Sequence, residues 1–418
     1  MSNLELFIHV CIAIILILVV ARIMGWVMEM LKQPRVVGEM IAGVLLGPTL
    51  FGTILPELSK EVFLPEVKST LFILGNLGLS LYMFLVGAQI NYKLFTPLTV
   101  KRSMIVSVTG TLVPFALGIV CGLLYYTRLV PEGITLFAAC FFMGTALAIT
   151  AFPMLARILQ AENIVNTSIG VISLLGASIQ DVVSWILLAF VTAQAQGKGP
   201  ESGMITIFGA LAFIAVIWFV ARPFFRRMGE RSEKSGVLSQ NGFAIVILSL
   251  IVSALITDEL GLYSVFGGFI LGLVMPRTTV FQKAIQDKLY DFNVVFLLPL
   301  FFTFSGLNTN LISIFDPSLI DATLVILFFS FIGKYVAVGL SMKVSGYTWR
   351  QSSAIGGLIN ARGLMELIIA NIGLQYKIIH PTTFSILVLV AVLSTLGAMP
   401  IYRLSKPEPD AVIGDNVS

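Results

Sequence analysis

The chain has 418 residues, of which 57% are hydrophobic and only 11% charged, a balance that excludes a soluble globular domain of this length. Cys11, Cys121 and Cys140 all lie inside apolar runs with no CxxC spacing, so neither a zinc site nor a disulfide framework is expected. The net charge of +4 has to be read as topology, and the composition predicts an all-α polytopic membrane protein.

The opening segment, 7–30, is too long and apolar for a cleaved signal and carries Glu5 and His9 where a leader would be basic, so it reads as the first span. Windows of about 20 apolar residues then recur at 36–51, 69–91, 102–127, 133–157, 164–192, 203–225, 241–257, 262–276, 290–307, 319–342, 351–374 and 382–404, for thirteen transmembrane helices. With the N-terminus outside, eighteen of the 26 lysines and arginines fall on the inner side, five on the outer side and three within spans. The positive-inside rule therefore predicts an external N-terminus and a cytoplasmic C-terminus. The basic run from Arg222 to Lys234 becomes an inner-face loop whose charge topology alone explains, ahead of a nucleic-acid or anionic-lipid role, and 407–418 becomes a short cytoplasmic tail.

Span two, Gly38 to Pro48, and span nine, Gly267 to Pro276, are both short, rich in small residues and stopped by proline. The spans that follow also match, with Gly87 leading to Asn91 in one and Gly306 to Asn310 in the other. The displacement is seven spans. An odd displacement reverses the second copy across the membrane, the inverted-topology repeat of secondary transporters. The expected organisation is one transporter domain, 1–406, with repeat one at about 7–192, a linker helix at about 203–225 and repeat two at about 241–404. The fifth span of each copy then corresponds: Gly144 to Pro153 and Gly356 to Gly363 both carry helix breakers at mid-span.

Six ionisable residues lie within spans: Arg22, Glu39, Asp181, Lys334, Arg362 and Glu366. A charge at such depth costs about 2.5–3.5 kcal/mol on insertion scales, so each asks for a partner or a function. Asp181, at the centre of span six, is an oxygen ligand suited to a hard monovalent cation and also a proton acceptor, and it holds one or the other. Thr150, Ser178 and Gln180 are candidates to complete a dehydrated ion's shell, Ser178 because it lies three residues before Asp181 on the same helix face. Lys334, in an otherwise apolar span, needs an anionic partner or must give up its proton. Arg362 and Glu366, one turn apart, balance each other and brace broken span twelve. Glu39 is a structural contact or a vestibule residue, and Arg22 is close enough to the inner end of span one to snorkel. No phosphate loop or metal-hydrolase motif is present, no cofactor is expected, and a lone deep aspartate does not suit an intramembrane aspartyl protease, so the chain reads as no enzyme.

These residues resemble the cation/proton antiporter superfamily, in the branch of the plant cation/proton exchangers and the membrane domains of bacterial potassium-efflux antiporters. The likeness runs from Gln33 to about Lys377 and is carried by Gln33 to Pro48, Ile149 to Leu159, Gln180 to Trp185, Leu298 to Phe302 and Asn360 to Gly373. It implies a sodium/proton antiporter-like fold, a homodimer among membrane lipids, and spans five and twelve crossing in a mobile core. Position by position it assigns Asp181 as the ion-binding aspartate, Thr150 as the ligand at the break and Lys334 as the basic residue facing it. Gln180 departs from the Asp-Asp pair of the electrogenic sodium/proton members and from the Asn-Asp pair of the plant exchangers, and resembles the Gln-Asp pair of potassium-efflux members. The expectation is a secondary antiporter exchanging K⁺ or Na⁺ for H⁺, electroneutrally, in a bacterial inner (plasma) membrane. The alternative is a channel-like cation pathway of the same fold without strict proton coupling.

Overall fold

The structure, a computed structural model, describes residues 2–89, 96–165, 167–195, 200–260 and 264–405. Asn91 of the repeat motif, Lys93 and Lys198 of the loop counts, and the tail 407–418 lie outside the described residues. The described chain is all-helical. Nine helices among the described residues are long and apolar enough to cross a membrane, and the shorter apolar helices Leu136–Ala148, Ser264–Leu273 and Met365–Gln375 belong to spans that break or run short.

The first half runs through α1 (Asn3–Met30), α2 (Arg35–Leu46), the short linking helices α3 (Phe51–Ile54) and α4 (Pro56–Val62), α5 (Pro65–Gln89), α6 (Pro97–Leu124), a single turn α7 (Tyr126–Leu129), α8 (Leu136–Ala148), α9 (Phe152–Ala161) and α10 (Ser168–Ala195). After it, α11 (Pro200–Val216) continues through a π-helical turn, Ile217–Ala221, into α12 (Arg222–Ser235). The second half contains α13 (Gln240–Glu259), α14 (Ser264–Leu273), α15 (Thr279–Phe292), a second π-helical turn, Asn293–Leu297, α16 (Leu298–Leu307), α17 (Ile320–Val344), α18 (Trp349–Ile359), α19 (Leu364–Gln375) and α20 (Pro381–Ser405). Starts are marked as the sequence chemistry demands: Thr135 and Thr348 cap α8 and α18 through their hydroxyls, the latter in a reciprocal capping box with Gln351. Arg22 is exposed near the end of α1, as snorkelling requires.

Small residues decide which helices touch. On α2, a Cβ added to Gly43 would lie 2.3 Å from the Phe302 carbonyl oxygen of α16, and one added to Gly306 would lie 2.0 Å from the Gly43 carbonyl carbon. The other half answers in kind: a Cβ on Gly272 of α14 would lie 2.2 Å from the Phe84 carbonyl oxygen of α5, and one on Gly87 would lie 2.5 Å from that of Phe269. α2 thus packs closely against α16 and α14 against α5, each through glycines on both partners. Gly87→Leu and Gly306→Leu are expected to lower the thermal midpoint in detergent by similar amounts, each an overpacking loss of about 1–3 kcal/mol or more. A large loss in one and none in the other speaks against the equivalence of these positions.

Candidate ion-binding site

The fifth and twelfth spans are each two half-helices. The first breaks over residues 149–151 and the second over 360–363. The extended segments cross in contact, Ala151 N–H donating to the Ala361 carbonyl at 3.2 Å. Gly363 turns the second break with φ of 156°, a value that an L side chain resists, and a Cβ there would press on Met154 at 2.9 Å. Pro153, read from sequence as a breaker, instead falls at the second position of α9, where its missing N–H needs no helical partner.

A broken helix leaves carbonyls at the end of its first half without partners. Two buried cations cover those of α8. The Lys334 ammonium, on α17, donates to the carbonyls of Ala148 (2.8 Å) and Ile149 (2.6 Å) and to Thr150 Oγ1 (2.7 Å). The Arg362 guanidinium, from the other break, donates to the carbonyls of Ala146 (3.1 Å) and Leu147 (2.7 Å), reaches the Ser330 carbonyl at 3.2 Å, and pairs with Glu366 Oε2 at 2.5 Å. Both cations therefore sit at the negative end of α8, while Glu366 stands in the first turn of α19, at a positive end. The expected Arg362–Glu366 pair thus exists, but it braces both broken spans together, not span twelve alone.

Thr150 also donates through Oγ1 to Gln180 Oε1, and the Gln180 amide nitrogen donates to the Val106 and Ser107 carbonyls of α6, each at 3.3 Å. Gln180 reaches α6 across Gly110, where an added Cβ would lie 2.4 Å from its Nε2. In this conformation Thr150 and Gln180 are engaged with each other, with Lys334 and with α6.

Asp181 is different. It is fully buried, and neither carboxylate oxygen has a hydrogen-bond partner among the described residues. Its electrostatic neighbours are Lys334 and the Phe152 N–H at the start of α9, neither closing a hydrogen bond of ordinary geometry. An ammonium has three donors, and all three of Lys334 are spent on the break and Thr150. Lys334 thus sets the field at Asp181 without occupying its oxygens. A buried carboxylate in that condition is unstable unless it takes up a proton or a cation. Ser178 is half-buried and makes no bond to Asp181, so the shared helix face does not bring its hydroxyl to the carboxylate. Glu39 is buried early in α2 and feels the charge of Arg35, away from this cluster.

Asn360, not singled out from the sequence, belongs here. It is fully buried at the second break, donates to the Phe331 and Gly356 carbonyls, and leaves Oδ1 without a partner. Its signal was available: an amide two residues before Arg362 in an apolar span next to a glycine pair.

Two broken helices crossing around a buried carboxylate without a hydrogen-bond partner among the described residues define the protein as a secondary transporter by architecture. Residues 15–401 match the family described as "Sodium/hydrogen exchanger, transmembrane", and the chain belongs to that family, one of transporters and not of enzymes. Among its relatives is the Na(+)/H(+) antiporter NhaS4 of Synechocystis sp., 34% identical, with the alignment covering 95% of this chain and 97% of that one. The K(+)/H(+) antiporter 1 of Saccharomyces cerevisiae is 29% identical over 94% of this chain, but the alignment spans 46% of that longer protein. Among solved structures, the sodium proton antiporter MjNhaP1 of Methanocaldococcus jannaschii shares the fold at a TM-score of 0.70 and 15% identity, covering 98% of this chain and all of that one.

Proposed function

We propose that this protein exchanges K⁺ or Na⁺ for H⁺ by alternating access, with Asp181 carrying either the cation or the proton. The observation that carries the reading is the fully buried carboxylate whose two oxygens have no hydrogen-bond partner among the described residues, beside a lysine whose donors are committed elsewhere. Thr150 and Gln180 are the ligands that a rearrangement of their mutual hydrogen bond would release toward the ion, and Ser178 is a further candidate on the same helix. Lys334 balances charge, Arg362 and Glu366 hold the crossing together, and Glu39 lines a vestibule. The repeat boundaries of about 7–192 and 241–404, the homodimer, the surrounding lipids, the external N-terminus and the bacterial inner membrane belong to the same proposal. It draws support from the reciprocal glycine packing and from the antiporter names of relatives.

With one titrating carboxylate exchanging one proton for one monovalent ion, and Lys334 charged throughout, the cycle moves no net charge. Purified protein in proteoliposomes should release protons on K⁺ or Na⁺ jumps, with Li⁺ and Rb⁺ run alongside, and an imposed potential should leave the rate unchanged. Sustained charge movement that disappears in Lys334→Gln while electroneutral exchange continues would assign a second proton to Lys334. Cation flux without proton movement would favour the channel-like alternative.

A further inference from the structure

We propose that the cavity between α12 and the start of α13 binds the phosphate of an acidic phospholipid. The cavity holds about 550 Å³ and its lining includes Arg227, Arg231, Ser239 and Asn241 but no aspartate or glutamate. Arg227 and Arg231 are one helical turn apart, and like charges at that spacing repel. Among the described residues neither guanidinium has an ion pair. The two nearest acids of α12 are engaged elsewhere: Glu230 with Arg226 at 3.0 Å, and Glu233 with the Val280 N–H at 3.0 Å. A phosphate bridging the two arginines removes that repulsion and matches the donor geometry of guanidinium groups.

Position selects a lipid over a soluble anion. Helix α12 is the direct continuation of apolar α11 through the π-helical turn, and Arg222 stacks over the Trp218 ring at 4.2 Å where the chain leaves the span. Tryptophan and arginine in that order mark a membrane–water boundary. The cavity's other walls include Phe224 and Ile245, both exposed large apolar side chains suited to acyl chains below a headgroup. Charge toward the water and apolar surface toward the span is the complement of a phospholipid.

The test uses purified protein in neutral detergent, titrated with phosphatidylglycerol, phosphatidylcholine or inorganic phosphate, reading thermal midpoint and retained lipid by native mass spectrometry. Phosphatidylglycerol should raise the midpoint and be retained, and its apparent affinity should fall roughly thirtyfold in Arg227→Gln/Arg231→Gln, from about fivefold per arginine at a membrane surface. The matched variant Lys234→Gln/Lys283→Gln, which loses the same charge outside the cavity, should keep near wild-type affinity. Both arginines are exposed, so the lipid-free double variant should be at least as stable as wild type once their repulsion is gone. Equal stabilisation by phosphatidylcholine, or equal loss in the two double variants, would overturn the site. A shift reproduced by inorganic phosphate alone would overturn the lipid and leave a soluble-anion site.

Discussion

Asp181→Asn is expected to abolish cation and proton transport together while leaving the fold intact. The side chain is fully buried and neither carboxylate oxygen has a hydrogen-bond partner among the described residues, so the isosteric amide breaks no hydrogen bond to them, while Lys334 keeps its donors on the α8 carbonyls and Thr150. What it removes is chemistry, because an amide neither takes up a proton near neutral pH nor offers an anionic ligand. Size-exclusion behaviour and thermal midpoint should stay close to wild type in the absence of substrate cation. Any stabilisation by added K⁺ or Na⁺ should vanish, since a ligand that no longer binds shifts no folding equilibrium. Proton release in proteoliposomes should fall at least to about one hundredth of the wild-type rate, a barrier increase of about 2.7 kcal/mol or more. Coupled exchange near wild-type rates would remove Asp181 from the centre of the mechanism.

That residue was legible in the sequence because its signal is local: a carboxylate in the middle of an apolar run needs no structure to be conspicuous. The thirteen spans were legible for the same reason, through windows of hydropathy and the distribution of basic residues. Partners were not. Lys334 was expected to seek an anion or give up its proton, and the structure gives its donors to the carbonyls that end α8. Those carbonyls become available only because the chain breaks at 149–151, ahead of the proline that sequence reading had blamed. Gln180 was placed beside the ion, yet its amide is tied to α6, a neighbour that no local pattern names. Ser178 shows the limit of helical spacing: three residues is about 300° of rotation, the same face in outline but not the same hydrogen bond. Asn360 escaped because hydroxyls and amides were sought beside Asp181 and the first break, while burial at the second break makes this amide just as demanding of partners.

Arg362 should be the most sensitive structural position at the crossing. Its guanidinium joins α8, through the Ala146 and Leu147 carbonyls, to α17, through Ser330, and to Glu366 on α19. Its backbone is fixed as well, the Thr395 hydroxyl of α20 accepting from the Arg362 N–H and donating to its carbonyl. Arg362→Ala leaves Glu366 as a buried charge without its partner and uncovers the end of α8, a loss of about 3–5 kcal/mol on the scale of broken buried ion pairs. Arg362→Lys should recover little, because one ammonium cannot span a carboxylate and carbonyls on two further helices as a planar fork does. Glu366→Gln should cost less than Arg362→Ala, since the arginine keeps its three carbonyl acceptors. In Arg362→Met/Glu366→Leu the buried charges go together and part of the stability should return. The α8 carbonyls stay uncovered, however, so the double variant remains below wild type. Thermal midpoints of the four variants in one detergent check the order. If Glu366→Gln proved the more damaging single change, the carboxylate rather than the guanidinium would be the keystone of the crossing, and the α8 carbonyls would not depend on Arg362.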